Sequence, residues 1–174
     1  SLTNAQQRTW QEIERDMAQR HPMLRLVQGD VGCGKTVVAA LAAMRAIECG
    51  LQVAIMAPTE LLAEQHGRNF ATWFEKLNVS LALLTAKLTG RARTQALQHL
   101  ADGSTRLAIG THALFQDDVV FDNLGLVIVD EQHRFGVQQR LALRQKGQPE
   151  PHQLMMTATP IPRTLSMSYY ADLD

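Results

Sequence analysis

The segment GDVGCGKT (29–36) constrains the fold more than any other stretch of this 174-residue chain. It matches the pattern G-x-x-x-x-G-K-[ST] in full. It stands between an apolar run, MLRLVQ (23–28), and a helix-forming run, GKTVVAALAAMRAIE (34–48). A strand before the pattern and a helix after it are the context in which such a segment cradles phosphate. Gly29, Gly32 and Gly34 let the backbone turn tightly, so that its N–H groups wrap an anion. The helix N-terminus adds partial positive charge. Lys35 is placed to reach the β- and γ-phosphates of a nucleotide, and the Thr36 hydroxyl to bind Mg²⁺. Cys33 fills a variable position, either as a tolerated small residue or as a thiol beside the nucleotide. A glycine-rich turn that binds nothing is the alternative, and it leaves the agreement of pattern, strand and helix unexplained.

The rest of the chain extends this strand–loop–helix unit. Trp10, Ile13 and Met17 recur at helical spacing within 4–19. Strands are expected at 23–28, 51–57, 80–85, 105–110, 124–130 and 153–158. Helices are expected at 34–48, 59–77, 91–101 and around 137–146, with a short helical turn at 112–116. Gly50 closes the second helix, and Thr59 before ELLAEQ is a credible N-cap for the third. Strands alternating with helices predict an α/β fold, a mostly parallel sheet flanked by helices, as one domain over 1–174. In such sheets the chemistry lies beyond the carboxyl ends of the strands. Met155, Met156, Trp10, Trp73 and Phe74 read as core, and the lone histidines His66 and His112 as surface residues.

Composition narrows the class. Hydrophobic residues make up 45% and charged residues 20%, within the globular range and against disorder. The formal net charge is zero, so any nucleic-acid contact is local or is supplied mostly by another domain. No apolar run approaches the roughly 18 residues of a membrane span. Two cysteines, Cys33 and Cys49, make no disulfide framework, and a cytoplasmic location fits.

VIVDEQH (127–133) drives an apolar strand into two adjacent acids and a histidine. Burying charge at a strand end costs several kcal/mol, on the order of the penalty for an unpaired ion, unless a partner offsets it. With a phosphate loop upstream, the expected partner is a dication; a surface acid pair at a strand end is the alternative. Asp130 is the candidate metal acid, and Glu131 is the candidate base or positioner for an attacking water. His133 is either a solvated turn residue or a relay of nucleotide state.

DEQH (130–133) resembles motif II of superfamily 2 helicases. GDVGCGKT resembles motif I, APTELLAEQH (57–66) motif Ia, GTHALF (110–115) motif Ib and TATPIPR (157–163) motif III. LTNAQQ (2–7) resembles the segment that reads adenine, with Gln6 as the best match. THALFQ, DEQHRFGVQQR and MTATPIPRTL together resemble the RecG family of ATP-dependent helicases, which remodel branched DNA. The transcription-repair coupling translocases are similar at RFGV and TATPIPRT. The resemblance covers nearly the whole chain and implies a RecA-like lobe with ATP and Mg²⁺ as cofactors. It implies that Pro58, Thr59, Gly110, Thr111 and His112 touch the DNA backbone, and that Thr157 and Thr159 couple hydrolysis to movement. Motifs IV to VI are not in this sequence. The resemblance therefore implies a first motor lobe whose partners in cis are a second RecA-like lobe and a wedge domain that grips branched or forked DNA. A nucleotide-gated interaction module and a non-helicase ATPase of the same loop class are the competing readings.

Overall fold

The computed structural model describes residues 2–19, 23–28, 33–130, 146, 151–157 and 170–172. The elements run α1 (Asn4–Met17), β1 (Leu24–Gln28), α2 (Cys33–Glu48), β2 (Gln52–Met56), α3 (Glu60–Phe74), β3 (Leu81–Leu84), α4 (Gly90–Ala101), β4 (Leu107–Gly110), β5 (Leu124–Asp130), β6 (His152–Thr157) and β7 (Tyr170–Asp172). Single 3₁₀ turns follow α3, at Glu75–Leu77, and β4, at His112–Phe115. The strands form one seven-stranded sheet in the order β3-β4-β2-β5-β6-β1-β7, and every recorded pairing is parallel.

The chain ends of the helices explain where they begin and stop. At α1 the Thr3 hydroxyl accepts from Gln6 N at 3.1 Å while Gln6 Oε1 accepts from Thr3 N at 2.9 Å, a reciprocal capping box. Thr59 caps α3 by accepting from Leu62 N at 3.2 Å. At the end of α2, Gly50 N donates to Ile47 O and Leu51 N to Ala46 O, both at 3.0 Å, with Gly50 at φ +84°. This is the double hydrogen bond for which a left-handed glycine is needed.

One face of the sheet packs Val53, Ile55, Leu107, Ile109, Leu126, Ile128, Leu154 and Met156 against α1, α2 and α3. Small residues of α2 (Ala39, Ala42, Ala43 and Ala46) bring that helix close to the strands. The other face buries Ala54, Met56, Ala108, Val127, Val129 and Met155 under Leu100 of α4, Leu114, Val119 and Phe121. β5 is buried along its whole length, as expected for a central parallel strand.

Three expectations change. β7 adds a strand beyond the six expected: its three residues are too few to show a period of their own, and their pairing to β1 defines them. Trp73 is not core. It is 40% exposed and lies edge-on to Phe70, one position off the buried stripe of α3. His66 is not a surface residue; it is 8% exposed. The helix expected around 137–146 lies outside the described residues except for Lys146. Lys146 Nζ donates to Gln116 O and Val119 O, both at 2.8 Å. Burial pushes its amine below the ordinary lysine range, against the pull of Asp117 and Asp118.

Candidate functional site

The parallel register brings the ends of several strands to one edge. Met56 of β2 stands opposite Gly110 of β4 and Val129 of β5. Asp130 stands opposite Met156, and the next residue, Thr157, opposite Gln28 of β1. α2 starts at Cys33, so Cys33, Gly34 and Lys35 form its first turn with Thr36, which is half-buried. β6 lies between β1 and β5. The helix that follows β1 and the acid that ends β5 therefore belong to the same edge, one strand apart. Gly29, Gly32, Glu131, His133 and Thr159 lie outside the described residues.

Asp130 is the chemical centre of what is described. It is 8% exposed, on the face of the sheet that carries α2 and α3. Among the described residues its hydrogen-bond partner is His66 of α3, with Nε2 at 2.6 Å from Oδ2. A carboxylate oxygen and a threonine hydroxyl are hard donors. Mg²⁺ in nucleotide sites takes one or two such groups and completes its shell with phosphate oxygens and water. No group of three or more His, Cys, Asp or Glu able to hold an ion occurs among the described residues. Asp130 and Thr36 are donors of that hard-oxygen type.

His66 is the site residue that sequence reasoning missed. Its signal was present: Ala63, His66, Gly67, Phe70 and Phe74 make the buried stripe of α3 at helical spacing, and His66 is its polar member.

The remaining predicted residues sort by exposure. Pro58 and Thr59 are exposed just beyond β2, and His112 just beyond β4. Thr111 is 6% exposed, and its carbonyl accepts from Leu114 N at 3.1 Å to start the 3₁₀ turn. Gly110 is required by packing: a Cβ there would lie 2.7 Å from Leu84 O and 3.3 Å from Leu114 Cγ. Gln6 has Oε1 engaged in the α1 capping box. A groove of about 780 Å³ runs along the outer strand β3, lined by Gly67, Leu81, Leu83, Leu88 and Ala96. It lies three strands from β5 and is not this site.

A family model described as "DEAD/DEAH box helicase" matches residues 3–168. The chain belongs to the DEAD/DEAH box helicase family. It is 62% identical over 175 residues to the ATP-dependent DNA helicase RecG of Escherichia coli strain K12, covering 99% of this chain and 25% of that protein. It is 61% identical over 175 residues to RecG of Pasteurella multocida strain Pm70, again covering 99% of this chain and 25% of the relative. A solved structure of RecG bound to a three-way DNA junction superposes with a TM-score of 0.86 at 44% identity, covering 100% of this chain and 24% of that one. A structure of the DUF1998 helicase MrfA bound to DNA and AMPPNP shares the fold, with a TM-score of 0.74 at 14% identity over 99% of this chain and 27% of that one. The chain spans about a quarter of the length of the curated relatives it matches. No helix among the described residues is long and apolar enough to cross a membrane.

Proposed function

We propose that this chain is the first ATP-binding motor lobe of a RecG-like, cytoplasmic DNA helicase that remodels branched or forked DNA. The observation that carries the proposal is the buried Asp130 carboxylate at the end of β5, on the edge and face where α2 begins. A buried carboxylate whose described partner is a single histidine calls for a cation, and the GKT turn calls for the phosphates that deliver it.

In this reading the backbone around Gly29, Gly32, Cys33 and Gly34 wraps the phosphates. Lys35 neutralises the β- and γ-phosphate oxygens. Thr36 and Asp130 hold Mg²⁺, which when bound offsets the charge on the transferred phosphoryl group. Glu131 orients and deprotonates the attacking water, and His133 relays the state of the nucleotide. Gln6 reads adenine through the amide nitrogen that its capping role leaves over. The exposed Pro58, Thr59 and His112 rest on the DNA backbone, where small polar groups and N–H groups bind phosphate without reading bases, and the buried Gly110 and Thr111 set the turn that presents His112. Thr157 and Thr159 couple hydrolysis to movement. A second RecA-like lobe in cis closes the site with arginines, each worth ~10³–10⁵ in rate in related phosphoryl-transfer enzymes. A wedge domain in cis grips the branch.

ATP turnover by the full-length protein tests this. Turnover stimulated more by a three-way junction than by linear duplex, and abolished by Lys35→Ala, is the expected result. Intact turnover in Lys35→Ala would remove this lobe from the motor. Equal stimulation by both DNAs would remove branched DNA as the substrate.

A further inference from the structure

We propose that His66 is a positioning residue that holds the Asp130 carboxylate in the orientation Mg²⁺ requires, and so ties the metal site to α3. This rests on the reading of Asp130 as the metal acid.

His66 occupies an apolar stripe. Its neighbours there are Ala63, Gly67, Phe70 and Phe74, and the Phe70 ring meets the imidazole edge-on, with centroids 6.5 Å apart at 62°. Both side chains of the His66–Asp130 pair are 10% exposed. At 2.6 Å the Nε2 proton is directed at Asp130 Oδ2. In the neutral ring, a proton on Nε2 makes Nδ1 an acceptor. Nδ1 is buried without a hydrogen-bond partner. A buried pair with an unmet acceptor is a poor stabiliser, because apolar groups of the same shape would fill the space at lower cost. The arrangement makes sense as orientation. With Oδ2 bonded to a ring that Phe70 meets edge-on, one orientation of the carboxylate is favoured. Bonds of this kind behind a metal-ligating carboxylate set metal affinity.

The geometry also fixes what moves the carboxylate. His66 lies seven residues after Thr59, the exposed cap of α3, about 10 Å along a rigid helix. A shift of α3 at its exposed end is delivered to the metal acid through one hydrogen bond.

The test is calorimetric nucleotide binding to the full-length protein, with Mg²⁺ and with EDTA, for wild type, His66→Ala and His66→Gln. The Gln amide nitrogen can take the place of Nε2. His66→Ala is expected to lower the gain in affinity that Mg²⁺ confers by about 10–100-fold. The EDTA value should not change, and His66→Gln should recover most of the gain. If His66→Ala does not fold, His66→Asn, whose amide stops short of Asp130, takes its place. Equal losses with and without Mg²⁺ in Ala or Asn, or no loss in either, would overturn the proposal. So would a His66→Gln protein as impaired as the truncated one. A wild type that gains nothing from Mg²⁺ would instead overturn the metal reading of Asp130 itself.

Discussion

The two ends of the sheet treat buried polar groups differently. At the amino end, Gln52 is fully buried and every arm is used. Its Nε2 donates to Leu100 O at 2.9 Å and Thr105 O at 2.8 Å, and its Oε1 accepts from Asn123 N at 2.8 Å. Arg25, on β1, bonds Asp16 through Nε and Nη2 at 3.1 and 2.7 Å and Glu12 through Nη1 at 2.9 Å, pinning α1 to the sheet. At the carboxyl end, His66 and Asp130 are also buried and bonded to each other, yet Nδ1 of the histidine has no partner. Completed hydrogen bonding marks polar groups that hold the fold. The His66–Asp130 pair leaves a buried nitrogen unmet, a cost that a pair serving stability alone does not need.

The contrast can be broken at either end. Gln52→Leu strands the Thr105 carbonyl and the Asn123 N–H, while Leu100 O keeps its bonds from Gly103 N and Asp122 N, and should cost about 3 kcal/mol of stability. Urea denaturation reads this as a lower midpoint, while nucleotide affinity of the folded protein stays at the wild-type value. A change in affinity without a change in midpoint would dissolve the distinction. Thr59 sharpens it, because one hydroxyl is both a cap and a candidate DNA contact. Thr59→Ala should cost about 1 kcal/mol through the lost cap. Thr59→Asp keeps a good cap and so keeps stability, but its charge should weaken stimulation of ATP turnover by DNA. Unchanged stimulation would take Thr59 off the DNA path.

The smallest expected effect is at His152, again at the amino end. Its Nδ1 accepts from Met23 N at 2.7 Å, so the bond needs that nitrogen unprotonated. Burial pushes the imidazole below its ordinary 6.5, outweighing the Met17 carbonyl and the Asp16 carboxylate, which favour the charged form. A depressed folded-state value means that the unfolded chain takes up the proton first as pH falls. The contribution is complete above 6.5 and is lost on acidification through the lowered value. Melting temperature followed from about pH 8 to about pH 5 should fall less steeply in His152→Asn, which keeps an acceptor and cannot titrate. Parallel curves would assign the slope to other groups.

Much of this was legible in the sequence because local chemistry decides it. Thr59 before ELLAEQ gave the cap, Gly50 the end of α2, and LGLVIVD a central strand ending in an acid. What escaped was decided by neighbours. Judged alone, His66 looks like a surface histidine, and only the stripe it shares with Ala63, Phe70 and Phe74 turns it inward. Thr3 and Gln6 spell a capping box, a second use of a glutamine that resemblance assigns to adenine. Trp73 stays 40% exposed because the stripe passes beside it, and β7 exists through its pairing with β1.

The most direct test of the account is calorimetric titration with Mg-ATP of the full-length protein, Lys35→Ala and Gln52→Leu, with the melting temperature of each recorded. The account predicts that Lys35→Ala loses binding and melts like wild type, while Gln52→Leu binds like wild type and melts lower. Binding that survives in Lys35→Ala, or that disappears in a folded Gln52→Leu protein, would contradict the assignment of ligand to one end of the sheet and stability to the other.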